Sequence, residues 1–169
     1  MTKYVLSIDG GGVRGLASAT FLSELDKSLP KKISKSFDLI VGTSTGGIIA
    51  LAISILKTEG EDLINIYSKE NLKEIFSPLR YRILGSKYAG KSKRKIFENY
   101  FKGETLSSAE VPIIITAFDL EKRRIKMFKS WSEGYLPARR VAAATSAAPT
   151  YFPAESIEGQ WYLDGAVST

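Results

Sequence analysis

Residues 39–56 constrain this chain more than any other stretch. A short apolar and largely β-branched run, Leu39-Ile40-Val41, leads into Gly42-Thr43-Ser44-Thr45-Gly46, and a continuous apolar run follows from Ile48 to Leu56 with Ala50 and Ala52 inside it. The pattern predicts a buried strand, a tight turn and a buried helix. A serine between two glycines at such a junction is the pattern of a nucleophile elbow, because small neighbours permit the strained turn that lifts a hydroxyl clear of its backbone. Gly46 and Gly47 would let the helix pack closely. Taken alone, the same residues also describe a tight turn in an α/β protein that happens to hold a serine.

What the chain lacks limits the chemistry open to Ser44. Its 169 residues contain no histidine and no cysteine. Imidazole bases, histidine-based zinc sites, thiolate catalysis and disulfides are therefore excluded. A carboxylate, a lysine or an N-terminal amine must serve as base in any acyl transfer. The composition, 44% hydrophobic and 25% charged, suits one sizeable core, so a single domain is expected. No apolar run reaches the roughly 20 residues that span a bilayer, and Met1 to Leu6 leads into a strand rather than a secretory segment. The expected location is the cytoplasm, with peripheral membrane contact as an option.

The formal net charge is +6, which favours anionic surfaces, either lipid or nucleic acid. Much of the excess lies in one stretch, Arg80, Arg82, Lys87, Lys91, Lys93, Arg94 and Lys95, which is interleaved with Tyr81 and Tyr88 and contains no acidic residue. Such a run reads either as a solvated loop or as a patch that meets an anionic membrane.

Along the chain, Tyr4 to Ile8 predicts the first strand. It ends in Asp9-Gly10-Gly11-Gly12-Val13-Arg14-Gly15, ahead of a helical pattern from Leu16 to Leu29. Three glycines there can aim backbone N–H groups at one anion, at the positive end of a helix. The segment also satisfies Gly-x-Gly-x-x-Gly, so dinucleotide binding is a rival. Against it, Asp9 would stand at the mouth of the pyrophosphate site, and no acidic residue ends the second strand. Neither glycine loop carries the Gly-Lys-Ser/Thr ending of a nucleotide-binding P-loop. The order strand, glycine loop, helix, strand, elbow, helix predicts parallel strands whose loops gather at one edge, with the glycines beside Ser44.

Further helices are expected over Glu61 to Phe76, ended by Pro78, and over Lys93 to Phe101. A buried strand from Val111 to Phe118 turns through Glu121 to Arg124 into a second strand, Ile125 to Lys129. Pro137 to Ala148 predicts a small-residue helix. The last strand, Gln160-Trp161-Tyr162-Leu163-Asp164, hairpins across Glu158 and Gly159 and delivers Asp164 to its C-terminal end, on the rim where catalytic partners sit in open α/β sheets. Asp164 is the leading candidate to accept the proton of Ser44, with Asp9 as competitor.

Three ordered segments, Asp9 to Gly15, Gly42 to Gly46 and Asp164-Gly165-Ala166, resemble the motifs of patatin-like phospholipases, and Ala144 to Pro149 is similar to a run those enzymes carry before the last motif. The set spans nearly the whole chain. The resemblance implies an α/β fold, a three-layer α/β/α arrangement with a mainly parallel central sheet, a nucleophile elbow and a glycine-rich oxyanion loop. It implies a lipid acyl hydrolase of phospholipase A type, with Ser44 as nucleophile and Asp164 as base. An oxyanion hole would come from the N–H groups of Gly10, Gly11 and Gly12, braced by Arg14, with Gly42 and Gly46 shaping the elbow. No metal or cofactor is implied, the expected partner is an acyl-ester lipid, and no nucleic acid is expected. Patatin-like domains usually continue past the last motif, so residues 1–169 are expected to form one catalytic domain without the family's C-terminal portion. The alternatives are a catalytically silent lipid- or anion-binding module of the same fold and a dinucleotide-binding domain.

Overall fold

The protein is described by a computed structural model covering residues 2–75, 86–88 and 90–168. Three strands, β1 (Val5–Ile8), β2 (Leu39–Thr43) and β3 (Ile113–Asp119), run parallel, with Ile8 paired to Gly42 and Thr43 to Thr116. Alternate residues of β3, among them Ile113, Ile115 and Ala117, are buried on one face. β4 (Arg124–Lys129) returns antiparallel along β3. The turn is held by Asp119, whose Oδ1 accepts the N–H groups of Glu121 and Lys122 at 3.0 and 2.9 Å. β5 (Glu155–Ile157) and β6 (Gln160–Asp164) form the expected hairpin, and its two loop residues, Glu158 and Gly159, have φ of 51° and 81°. Positive φ at both positions matches the right-handed twist of the flanking strands.

The placement of β6 corrects one expectation. Asp164 does not end a parallel strand on the common rim, because β6 runs antiparallel to β3. β4 occupies one edge of β3 over residues 114–119, so β2 and β6 share the other edge. They meet end to end there: Thr43 pairs with Thr116, and Asp164 pairs with the next residue, Ala117. Two strands entering from opposite directions thus stop side by side, and the chain leaves β2 directly into Ser44.

α2 (Thr45–Ile55) is buried on nearly every side and packs on the face that carries Ile40, Ile113 and Ile115. α6 (Ala138–Thr145) continues that layer, and its small residues Ala142, Ala143 and Ala144 bring β3, β6 and α2 close. α1 (Gly15–Ser28) and α5 (Gly90–Phe101) pack outside these two. On the other face of the sheet the 3-10 turn Gly165–Ser168 packs against β3 and β4, while Val5 and Met127 stay 57% and 50% exposed.

Three helix boundaries depart from expectation. The helix foreseen from Glu61 to Phe76 is two, α3 (Glu61–Asn65) and α4 (Lys69–Ile75). Ser68 divides them: its Oγ accepts the N–H of Asn71 at 3.3 Å, the position of an N-cap. The Asn71 side chain in turn donates to the carbonyls of Asn65 and Ile66. Phe76, Pro78 and Tyr81 lie outside the described residues. α5 begins at Gly90 rather than Lys93, so Lys91 is helical along with Lys93, Arg94 and Lys95. α6 stops at Thr145, where Ser146 Oγ turns back to the Ala142 carbonyl at 2.7 Å and competes with the next helical turn.

Candidate active site

Ser44 stands between β2 and α2 with φ 55° and ψ −124°. That conformation costs about 1–3 kcal/mol for a residue with a Cβ, and the surroundings must hold it. Close packing does so. A Cβ on Gly46 would lie 2.0 Å from the Ile8 carbonyl oxygen, and one on Gly42 would lie 2.4 Å from the Gly46 carbonyl oxygen. Only glycines allow α2 to press on the ends of β1 and β2. The Ser44 N–H donates to Thr145 Oγ1 at 2.8 Å, and its carbonyl accepts the N–H of Ile48 at 3.1 Å as the first turn of α2.

The Ser44 hydroxyl donates to Asp164 Oδ2 at 2.6 Å. Asp164 Oδ1 accepts the N–H of Ala166 at 3.0 Å, and the Asp164 N–H donates to the Ala147 carbonyl at 3.0 Å. The carboxylate is buried, and desolvation pushes its pKa up; the bonds from Ser44 and Ala166 and the charge of Lys93 oppose that rise. A raised carboxylate pKa improves the match between base and hydroxyl. Asp9, the competing carboxylate, is exposed.

The glycine loop lies over Ser44: a Cβ on Gly10 would be 2.8 Å from Ser44 Cβ. Its three N–H groups are not equivalent. The Gly11 N–H donates to Thr45 Oγ1 at 3.2 Å, whereas the N–H groups of Gly10 and Gly12 form no hydrogen bond among the described residues. Arg14 supports the loop through its backbone, its N–H donating to the Gly11 carbonyl at 3.1 Å. Its side chain is exposed and makes no hydrogen bond or ion pair among the described residues.

Ser44, Asp164 and the glycine loop form the polar end of a cavity of about 570 Å³. The remainder is apolar, with Ile48, Ile66, Leu72, Ile96, Phe97 and Phe101 in its walls. Tyr67 closes the wall near Thr45, where burial pushes its pKa up to about 12 and keeps it neutral.

The described residues of the basic stretch differ in their surroundings. Arg80 and Arg82 lie outside the described residues. Lys87 Nζ lies 5.9 Å from the ring centre of Tyr151, which lines the cavity. Lys91 and Lys95 are exposed, and Arg94 pairs with the buried Glu155 at 3.0 Å. Lys93 leaves the set, because it is 1% exposed and points inward.

Two residues that touch the site were given no role by the sequence. Thr145 lay within the Ala144 to Pro149 run without a function of its own, and Lys93 was one lysine among many. The cue for Lys93 was helical phase: it stands three and four residues before Ile96 and Phe97, on the apolar side of α5.

Residues 6–169 match the family model described as patatin-like phospholipase. Patatin-like protein 2 of Oryza sativa subsp. indica is 32% identical over 91% of this chain and 44% of its own length. A cGAMP-activated phospholipase of Pseudomonas aeruginosa is 30% identical over 98% of this chain and 53% of its own. The chain spans about half the length of the curated relatives it matches. In fold it is similar to the crystal structure of VipD from Legionella pneumophila, with a TM-score of 0.68 at 10% identity over 98% of this chain and 46% of that one.

Proposed function

This chain belongs to the patatin-like phospholipase family, and on that premise we propose that it is a lipid acyl hydrolase of phospholipase A type working through Ser44 and Asp164. The observation that carries the proposal is the 2.6 Å hydrogen bond from Ser44 Oγ to Asp164 Oδ2, buried at the polar end of an apolar cavity. In a chain without histidine, that carboxylate is the one acceptor bonded to the hydroxyl among the described residues.

The acyl chain of the substrate lies along the apolar walls and brings its ester carbonyl to Ser44. Asp164 takes the hydroxyl proton as Ser44 Oγ attacks the carbonyl carbon. Negative charge gathers on the carbonyl oxygen, where the N–H groups of Gly10 and Gly12 receive it; one such donor is worth roughly 10²- to 10³-fold in rate. Collapse of the intermediate breaks the ester bond, and Asp164 returns the proton to the departing alcohol. Water then attacks the acyl-enzyme with Asp164 again as base, releasing fatty acid and restoring Ser44. Lys87, Lys91 and Lys95 add attraction to an anionic bilayer, about 1 kcal/mol for each residue near the surface.

Fatty-acid release from phospholipid vesicles tests this reading. The wild type is expected to release fatty acid, and Ser44→Ala and Asp164→Asn are expected to lose that release. Undiminished release by Ser44→Ala would refute it. Vesicle binding without release by the wild type would favour the silent lipid-binding module.

A further inference from the structure

Lys93 differs from its neighbours on α5. Lys91 and Lys95 face solvent, whereas Lys93 is 1% exposed. An ammonium buried that far is costly unless acceptors surround it. Lys93 Nζ donates to the carbonyls of Ala143 at 3.0 Å and Ser146 at 3.1 Å, and it stands 4.5 Å from the centre of the Phe152 ring. Both carbonyls belong to the C-terminal turn of α6, the negative end of that helix, where a cation is favoured.

The same turn holds both site residues. Thr145 Oγ1 takes the N–H of Ser44, and the Ala147 carbonyl takes the N–H of Asp164. Lys93 grips this turn on either side of Thr145, so one ammonium fixes the segment from which both partners of the 2.6 Å bond hang. It also lines the cavity with Ser44 and Asp164, where its charge favours the ionised carboxylate.

We propose that Lys93 is a positioning residue for the Ser44–Asp164 pair, its buried ammonium locking the Ala143–Ala147 turn in the cavity it shares with the Asp164 carboxylate. The kinetic part of this inference rests on the hydrolase reading above; the spectroscopic part does not. Around the ammonium, burial lowers its pKa to about 8, Glu155 of β5 and Asp164 of β6 support the charged form, and Arg94 of α5 opposes it. Lys93 therefore gives up its proton more readily than an exposed lysine.

The test follows the Asp164 carboxyl carbon by 13C NMR against pH in the wild type, Lys93→Met and Lys93→Arg. Methionine keeps the length and the Phe152 contact without the charge or the donors; arginine keeps the charge. The Asp164 midpoint is expected to rise in Lys93→Met and to stay near wild type in Lys93→Arg. The acid limb of the pH–rate profile should move upward in Lys93→Met, with the rate of Ser44 acylation at pH 6 falling about 10- to 10²-fold. If Lys93→Met does not fold, the same midpoint is read in Lys93→Gln, which removes the charge and keeps a donor. An unmoved Asp164 midpoint in the neutral variant overturns the inference whatever the activity. A raised midpoint without any acylation would sustain the Lys93 assignment and count against the hydrolase reading instead.

Discussion

Thr145→Val removes one oxygen from the site and should disturb it twice over. Thr145 is fully buried, and its Oγ1 lies 2.8 Å from the Ser44 nitrogen. Valine leaves that N–H without an acceptor, at a cost of about 1–3 kcal/mol. It also puts a methyl carbon where an oxygen stood, well inside the ~3.5 Å at which carbon contacts are comfortable. The strain of that overpacking adds about 1 kcal/mol. Gly47 gives no relief, since a Cβ built there would already be 3.0 Å from Thr145 Oγ1. The combined loss of roughly 2–4 kcal/mol should lower Tm by roughly 4–16 °C in a chain of this size. Because the lost bond fixes the elbow, fluorophosphonate labelling of Ser44 should slow along with it. Thermal denaturation and labelling are read on the same samples, with Thr145→Ser as the control that keeps the hydroxyl. A Thr145→Val protein that melts and labels like wild type would refute the claim that Thr145 holds Ser44 in place.

Three other substitutions probe separate features. Gly46→Ala should cost about 3 kcal/mol or more, measured by urea denaturation, because its Cβ would sit 2.0 Å from a backbone oxygen that cannot swing away. Asp164→Asn should raise Tm while lowering the labelling rate roughly 10²- to 10⁴-fold. Burial raises the folded-state pKa of Asp164 above its unfolded value, so stability is lost as pH climbs from the unfolded value through the folded one. A neutral isostere removes that penalty, so the expected gain in Tm should grow as pH rises; a lower Tm would contradict this. Arg94→Ala strips the partner from Oε2 of Glu155, which is 3% exposed and whose Oε1 has no hydrogen bond among the described residues. The expected loss is about 2 kcal/mol, less than the 3–5 kcal/mol of fully buried pairs because the Arg94 side chain is 45% exposed.

The local pattern around Ser44 was legible because each part has its own chemical cause. Gly42 and Gly46 mark a close approach of backbones, and the unbroken apolar run after them marks a helix buried on all sides. The direction of β6 was not legible. Hydrophobic alternation identifies a strand, yet nothing in Trp161, Tyr162 or Leu163 distinguishes a parallel neighbour from an antiparallel one. The end-to-end meeting of β2 and β6 on one edge of β3, which brings Asp164 to Ser44, appears only in the register. The break at Ser68 was hidden because a cap depends on a single hydroxyl against a favourable helical background. The engaged Gly11 N–H was hidden for a similar reason: three glycines look alike until Thr45 selects one of them. Lys93 was grouped with surface charge because net charge in a window carries no phase, and only the helical phase of α5 turns it inward.

The central claim is that Ser44, activated by Asp164, accepts an acyl group. Acid-quenched exposure to a medium-chain p-nitrophenyl ester, followed by peptide mass mapping, tests it most directly. The expected result is one added acyl mass on the peptide carrying Ser44 in the wild type, none in Ser44→Ala, and slow accumulation in Asp164→Asn. Ester turnover with the acyl mass on another residue, or with an unmodified Ser44 peptide at every quench time, would contradict it.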